Sequence, residues 1–200
     1  MNYLAHLYLA QPTADSHMGN LLGDFRRGVD PHTLPKAVKL ALDNHLLVDK
    51  FTDHHPLVKH TRALFSPHRR RFAGVATDVL FDHLLIQHWS KFTDQPFSDF
   101  CALSYRLLQS RSDAMPTRMQ HVVKRMCEDD WFATYASLDG VDLALNNIAK
   151  RIRFNNSFAG AVHDIEAHLD DFNAVFLTFF PELVAHVTSY NIEQATEFRR

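Results

Sequence analysis

Apolar residues recur at intervals of three and four along almost the whole chain, and only six glycines interrupt its 200 residues. β-Architectures need tight turns and a period of two, and neither is written here. The chain therefore reads as all-α, a single-domain helical bundle over residues 1–200. At 23.0 kDa it can bury one substantial core and is short for two. No repeat, low-complexity tract or linker divides it.

The helices can be placed from caps and breakers. A short apolar helix is expected over residues 3–10, followed by a turn at QPTAD and a second helix through HMGNLLGDFRRG that Gly28 ends. DPHTLP leads into a long helix from Lys36, which Pro56 interrupts and beyond which another begins. After SPHRRR a helix runs to about Phe92, and TDQP separates it from FSDFCALSYRLLQS. Further helices are expected over 116–136, 141–152 and 160–196, the last broken or kinked at Pro181.

Composition narrows the function classes. Hydrophobic residues at 46% and charged residues at 22% belong to a folded chain. Twenty-one basic against 23 acidic side chains, a net charge of −2, carry no nucleic-acid signature. No apolar run approaches the roughly 18 residues of a spanning helix, so no membrane association is expected. Cys101 and Cys127 form no CxxC, and MNYLAHLYLAQP lacks a basic leader region and stops at Pro12. Free thiols and a cytoplasmic location follow as expectations. Histidine is the outlier, at 14 residues.

Charge also falls where burial is expected. His45, Asp49 and Asp53 stand at i, i+4 and i+8 on the long helix, one stripe beside Leu42 and Leu46. In TDVLFDHLLIQHW, Asp78 and Asp82 share a stripe, with His83 about 100° around from Asp82. No lysine or arginine lies between Asp78 and Trp89 to compensate those acids. A buried carboxylate costs several kcal/mol unless a cation or donors attend it. Each residue alone reads more simply as a helix cap or a packed imidazole. As a set with His45 and Asp49, they point to a metal ion held by imidazole and carboxylate. His6 on the first helix and Asp24 in GNLLGDFRRG join the candidates; their plainer readings are a packed ring and an ion pair with Arg26 or Arg27.

MNYLAHLYLA, GNLLGDFRRG, HLLVDKFTD, TDVLFDHLL followed by HW, and the late FFPELV resemble, in that order, the acyl carrier protein phosphodiesterase family, from Met1 to about Val187. The resemblance implies a helical, HD-domain-like fold related to the HD phosphohydrolases. It also implies a manganese-preferring hydrolase, with magnesium, iron or zinc as alternative ions. The substrate would be holo-acyl carrier protein, and the products apo-acyl carrier protein and 4′-phosphopantetheine, within fatty acid metabolism. The matching positions are His6, Asp24, His45, Asp49, Asp53, Asp78, Asp82 and His83. The adjacent pair reads Asp82-His83, the reverse of the His-Asp order in HD enzymes.

On that basis Asp24, His45, Asp82 and His83 are expected to ligate the metal. Asp49, Asp53 and Asp78 would orient imidazoles or the attacking water, or hold a second ion. His6 would hand a proton to the departing serine oxygen. An acidic carrier protein calls for a basic docking surface, for which Arg26, Arg27, Arg69, Arg70 and Arg71 are candidates, although an arginine run also suits a solvated helix entry. Phe51, Phe81 and Trp89 are read as core before groove. Two other functions fit the same residues: an HD-like phosphohydrolase of nucleotides or small phosphodiesters, and a non-catalytic helical protein with a closed metal site.

Overall fold

A helix whose apolar residues fall on every side has to be surrounded, and residues 73–87, for all that they carry Asp78, Asp82 and His83, are such a segment. In the computed structural model, which describes residues 1–154 and 156–194, this segment is α5 (Ala73–Gln87), buried continuously from Val79 to Leu85. Around it lie α1 (Tyr3–Tyr8), α2 (Ala14–Leu22), α3 (Lys36–His54), α4 (Pro56–Thr61), α6 (Trp89–Phe92), α7 (Phe97–Gln109), α8 (Thr117–Glu128), α9 (Trp131–Thr134), α10 (Leu138–Arg151), α11 (Val162–Ala167) and α12 (Leu169–Tyr190). No strand occurs among the described residues.

α1, α10 and α12 pack on α5, and α2 makes its most extensive contact with α3. That contact depends on Gly19, where a Cβ would overlap Ala41 and the Val38 carbonyl. Thr13 caps α2 by accepting from the Ser16 N–H, and Ser137 caps α10 through the Gly140 N–H. Phe172, Phe176, Phe179, Phe180 and Leu183 of α12 are fully buried, and Phe176 and Phe179 pack on Phe81 of α5. Truncating any of these rings to Ala would cost about 3–5 kcal/mol.

Several boundaries differ from those read in the sequence. The second helix stops at Leu22 and tightens into a 3-10 turn, Gly23–Phe25, before Gly28 turns the chain at φ +82°. Residues 116–136 divide at Asp130, whose left-handed backbone (φ 44°) separates α8 from α9. α10 starts at its Ser137 cap, ahead of the expected residue 141. The stretch 160–190 is broken at His168, and α12 continues through Pro181, because buried residues before and after the exposed proline hold both halves on the core. Residues 195–196 of that expected helix lie outside the described residues. Cys101 and Cys127 are free thiols. No described helix is long and apolar enough to cross a membrane.

Candidate metal centre

α1 is too short to hold itself together in water and leaves its first N–H groups without helical acceptors. Asp82, fully buried on α5, supplies the acceptors: one oxygen takes the Leu4 N–H and the other the Ala5 N–H, both at 3.0 Å. A carboxylate at a helix N-terminus is favoured by the dipole as well as by the bonds. So anchored, α1 turns His6 wholly into the interior, where its ring stacks on His45 of α3 with centroids 3.9 Å apart.

His45 is fixed from behind. Its Nδ1 lies 2.7 Å from the Asn20 carbonyl on α2, which can only accept, so Nδ1 carries the proton. Its ring fills the space above Gly23, where any Cβ would overlap it. The other nitrogen, Nε2, faces Asp49 Oδ2 at 3.0 Å, one turn further along α3. His6 Nε2 approaches Asp49 Oδ1 at 3.2 Å, yet neither ring nitrogen of His6 has a hydrogen bond of acceptable angle.

This arrangement suits a cation. With Nδ1 protonated, a neutral His45 presents a lone pair to a carboxylate oxygen, two acceptors that repel unless a proton or a metal ion lies between them. One ligand atom from each of His6, His45 and Asp49 falls within 4.8 Å of the others. Ligand bonds of about 2.0–2.2 Å to a single ion would bridge such a span. A ligating histidine whose second nitrogen donates to a carbonyl is the usual way proteins aim an imidazole at a metal.

The electrostatics follow from crowding. Burial, helped by His45 and the N-terminal ammonium and opposed by Asp49, pushes His6 down to about 3. Burial would raise Asp49, but the His45 and His6 rings facing its two oxygens, with the Met1 ammonium, hold it well below the usual carboxylate range. The Met1 amino group lies 3.0 Å from Asp78 Oδ1 and 3.6 Å from Asp49 Oδ1. Asp78 is raised by burial and by Asp49 and Asp53, against that ammonium. Asp24, exposed in the 3-10 turn, is raised by the protein crowding it, with His45 and the ammonium opposing and Asp49 and Asp78 adding to the rise.

Of the residues singled out in the sequence, His6, His45 and Asp49 converge, with Asp78 and Asp24 beside them and Asp53 exposed one turn beyond on α3. Asp82 and His83 do not join the group. Both oxygens of Asp82 are taken by α1, and His83 gives its Nδ1 to the Tyr135 carbonyl at 2.8 Å and faces a separate cavity beside α12. The proton-donor role expected of His6 is at odds with a ring of zero exposure held neutral by burial. Asn20 and Gly23 were missed, although both stand in GNLLG beside Asp24; a backbone carbonyl and an absent Cβ leave no chemical signal of their own.

The arginines divide in the same way. Arg69 is a strut: its guanidinium donates to the Ser157 and Ala159 carbonyls and pairs with Asp164 at 3.4 Å, which removes it from the docking candidates. Arg70 gives Nε to the Phe65 carbonyl, and Arg71 lies 4.7 Å over the Phe154 ring. Arg26 and Arg27 are exposed, with no acidic partner within 4.0 Å among the described residues, so the ion pair with Asp24 is not formed. Phe81 and Trp89 are core, while Phe51 is half-buried and stacks on Phe179 and His186.

Residues 1–183 match the model of a protein family described as acyl carrier protein phosphodiesterase. Proteins named acyl carrier protein phosphodiesterase from Escherichia coli O139:H28 (strain E24377A) and Escherichia coli (strain K12 / DH10B) are each 31% identical over 189 residues, covering 94% of this chain and 98% of theirs. No solved structure gives a significant match. A family model that spans both histidines, the aspartates around them and the helices that hold them shows that this chain belongs to the acyl carrier protein phosphodiesterase family.

Proposed function

We propose that the protein hydrolyses the phosphodiester joining 4′-phosphopantetheine to a serine of holo-acyl carrier protein, with a divalent cation held by His6, His45 and Asp49. The observation that carries the reading is the pair of stacked, buried imidazoles whose Nε2 atoms both turn on one carboxylate. Family membership supplies the substrate. Manganese is the ion proposed, and a mixed imidazole–carboxylate set accepts it as it would iron, zinc or magnesium. When bound, such an ion lowers the pKa of water and neutralises phosphoryl oxygens.

The chain's own groups do the rest. Asn20 and Gly23 fix the His45 ring, and Asp82 fixes His6 by holding the start of α1. Asp78, partly exposed beside Asp49, would orient the attacking water. Asp24, at the solvent-facing edge, would return a proton to the serine oxygen as the P–O bond breaks, the role that burial denies to His6. Water's oxygen ends on phosphorus and a proton on serine, giving apo-acyl carrier protein and 4′-phosphopantetheine. Arg26 and Arg27, flanking Asp24, are proposed to meet the acidic carrier protein.

The test is intact-mass analysis of holo-acyl carrier protein incubated with the purified protein and Mn²⁺, with and without EDTA. Loss of the phosphopantetheine mass only without the chelator is expected. An unchanged carrier under every divalent ion overturns the reading and turns attention to nucleotides and small phosphodiesters.

A further inference from the structure

Beside the centre, between the entry of α1 and the α9–α10 pair, lies a cavity of about 370 Å³ that none of the steps above employs. It sits toward the lower end of the roughly 300–1,000 Å³ of small-ligand sites. The cavity shares two stretches of wall with the centre. Asn2 and Tyr3 line it directly after Met1, whose amino group lies between Asp49 and Asp78, and Val79 lines it directly after Asp78. Tyr3 links the two regions: it is in electrostatic reach of Asp24 on one side and of Arg151 on the other, and it stacks on Phe25, the residue after Asp24.

The lining is mixed in a specific way. Leu143, a large apolar side chain left 55% exposed, and Ile148 give one side, and the Trp131 ring faces in with Tyr3. Asn2 adds a buried Nδ2 that makes no well-formed hydrogen bond, the Tyr135 hydroxyl being its neighbouring acceptor, and a donor so held favours an acceptor brought by a ligand. Asn147 offers a second amide at the rim. Arg151 and the Arg125–Asp129 pair add charge to the wall. A purely apolar ligand would leave Asn2 and Arg151 unmatched, and a compact anion would meet Arg151 but not use the aromatic and aliphatic walls. A slender chain carrying amide carbonyls between apolar segments uses both.

From the shared walls, the size and the Asn2 amide, we infer that this cavity receives the pantetheine arm of the substrate, with Asn2 donating to an amide carbonyl and Trp131, Leu143 and Ile148 holding its aliphatic parts. The inference rests on the phosphodiesterase reading above. It makes these residues specificity determinants: they place the phosphodiester at His6, His45 and Asp49 by gripping the arm on one side of it.

The test uses two variants of the full chain that fill the cavity, Ala144→Phe on its half-buried side and Asn147→Phe at its exposed rim. The expected result is a fall of at least tenfold in kcat/KM on holo-acyl carrier protein, with Mn²⁺ affinity of the free protein unchanged. Free pantetheine provides a second readout that needs neither metal nor turnover. Of the two tryptophans, Trp89 is buried in the core, so saturable quenching by pantetheine reports Trp131, and both variants should abolish it. Should Ala144→Phe misfold, Asn147→Phe decides. A kcat/KM within twofold of wild type in the folded variants, or quenching that is absent or survives the filling, overturns the inference. A wild-type protein that hydrolyses no holo-acyl carrier protein fails the phosphodiesterase reading instead, and pantetheine quenching still tests the cavity by itself.

Discussion

Gly23 shows how much the centre depends on what a residue lacks. The His45 ring occupies the volume a Cβ would take, and its Nδ1 is bound to Asn20 only three residues earlier in the chain. Gly23→Ala leaves a helical backbone conformation intact, since the residue is right-handed with φ −52°, so the collision falls on the imidazole alone. Mn²⁺ affinity by calorimetry should drop at least tenfold while circular dichroism stays that of the wild type; unaltered affinity would show that the His45 position is not required. At this scale the sequence exposed the chemistry-bearing side chains His6, His45 and Asp49. It did not separate them from Asp82 and His83, because a carboxylate spent on two N–H groups and one faced by two imidazoles are spelled identically.

α1 and α5 illustrate the same ambiguity between elements. Asp82 is the joint between them, buried and bound to the Leu4 and Ala5 N–H groups. Burial raises its carboxyl to about 7 despite those two donors. With the folded pKa above the unfolded one, near 4, the group's stabilising contribution is full below pH 4 and is lost as pH rises through 7, at a slope of up to about 1.4 kcal/mol per pH unit. Denaturant titrations of Asp82→Asn against wild type between pH 5 and 8 should show that slope missing from the variant. Making the same comparison in a His6→Gln background removes His6, whose depressed pKa contributes in the opposite direction over lower pH. The Asp82→Asn variant should also lose hydrolysis, because its NH2 would face one of the two N–H groups that Asp82 accepts, and α1 carries His6. Equal slopes in the two proteins would mean that Asp82 is not titrating in the fold.

Over the whole molecule, a chain of net charge −2 must engage an acidic partner through a local surface. Arg26 and Arg27 remain free for that, on the Phe25 side where Arg118 also lies over the Phe25 ring, whereas Arg69 is bound into the fold. Reversing Arg26 and Arg27 to Glu should raise KM on the carrier protein several-fold and weaken its salt dependence. Arg69→Ala should lower the thermal midpoint and leave KM unchanged; the opposite pattern would relocate docking to the arginine run. The sequence by itself determined the class of fold, since a 3.6-residue apolar period with few glycines permits only helices, and it determined which residue types could bind a metal. Only the tertiary structure decided which of them meet. Histidines and aspartates on three helices are distributed by packing: the close α2–α3 contact at Gly19 sets His45 over Gly23, and Asp82 draws α1 onto α5 so that His6 reaches Asp49. Those are contacts between segments up to 78 residues apart, and no local periodicity encodes them.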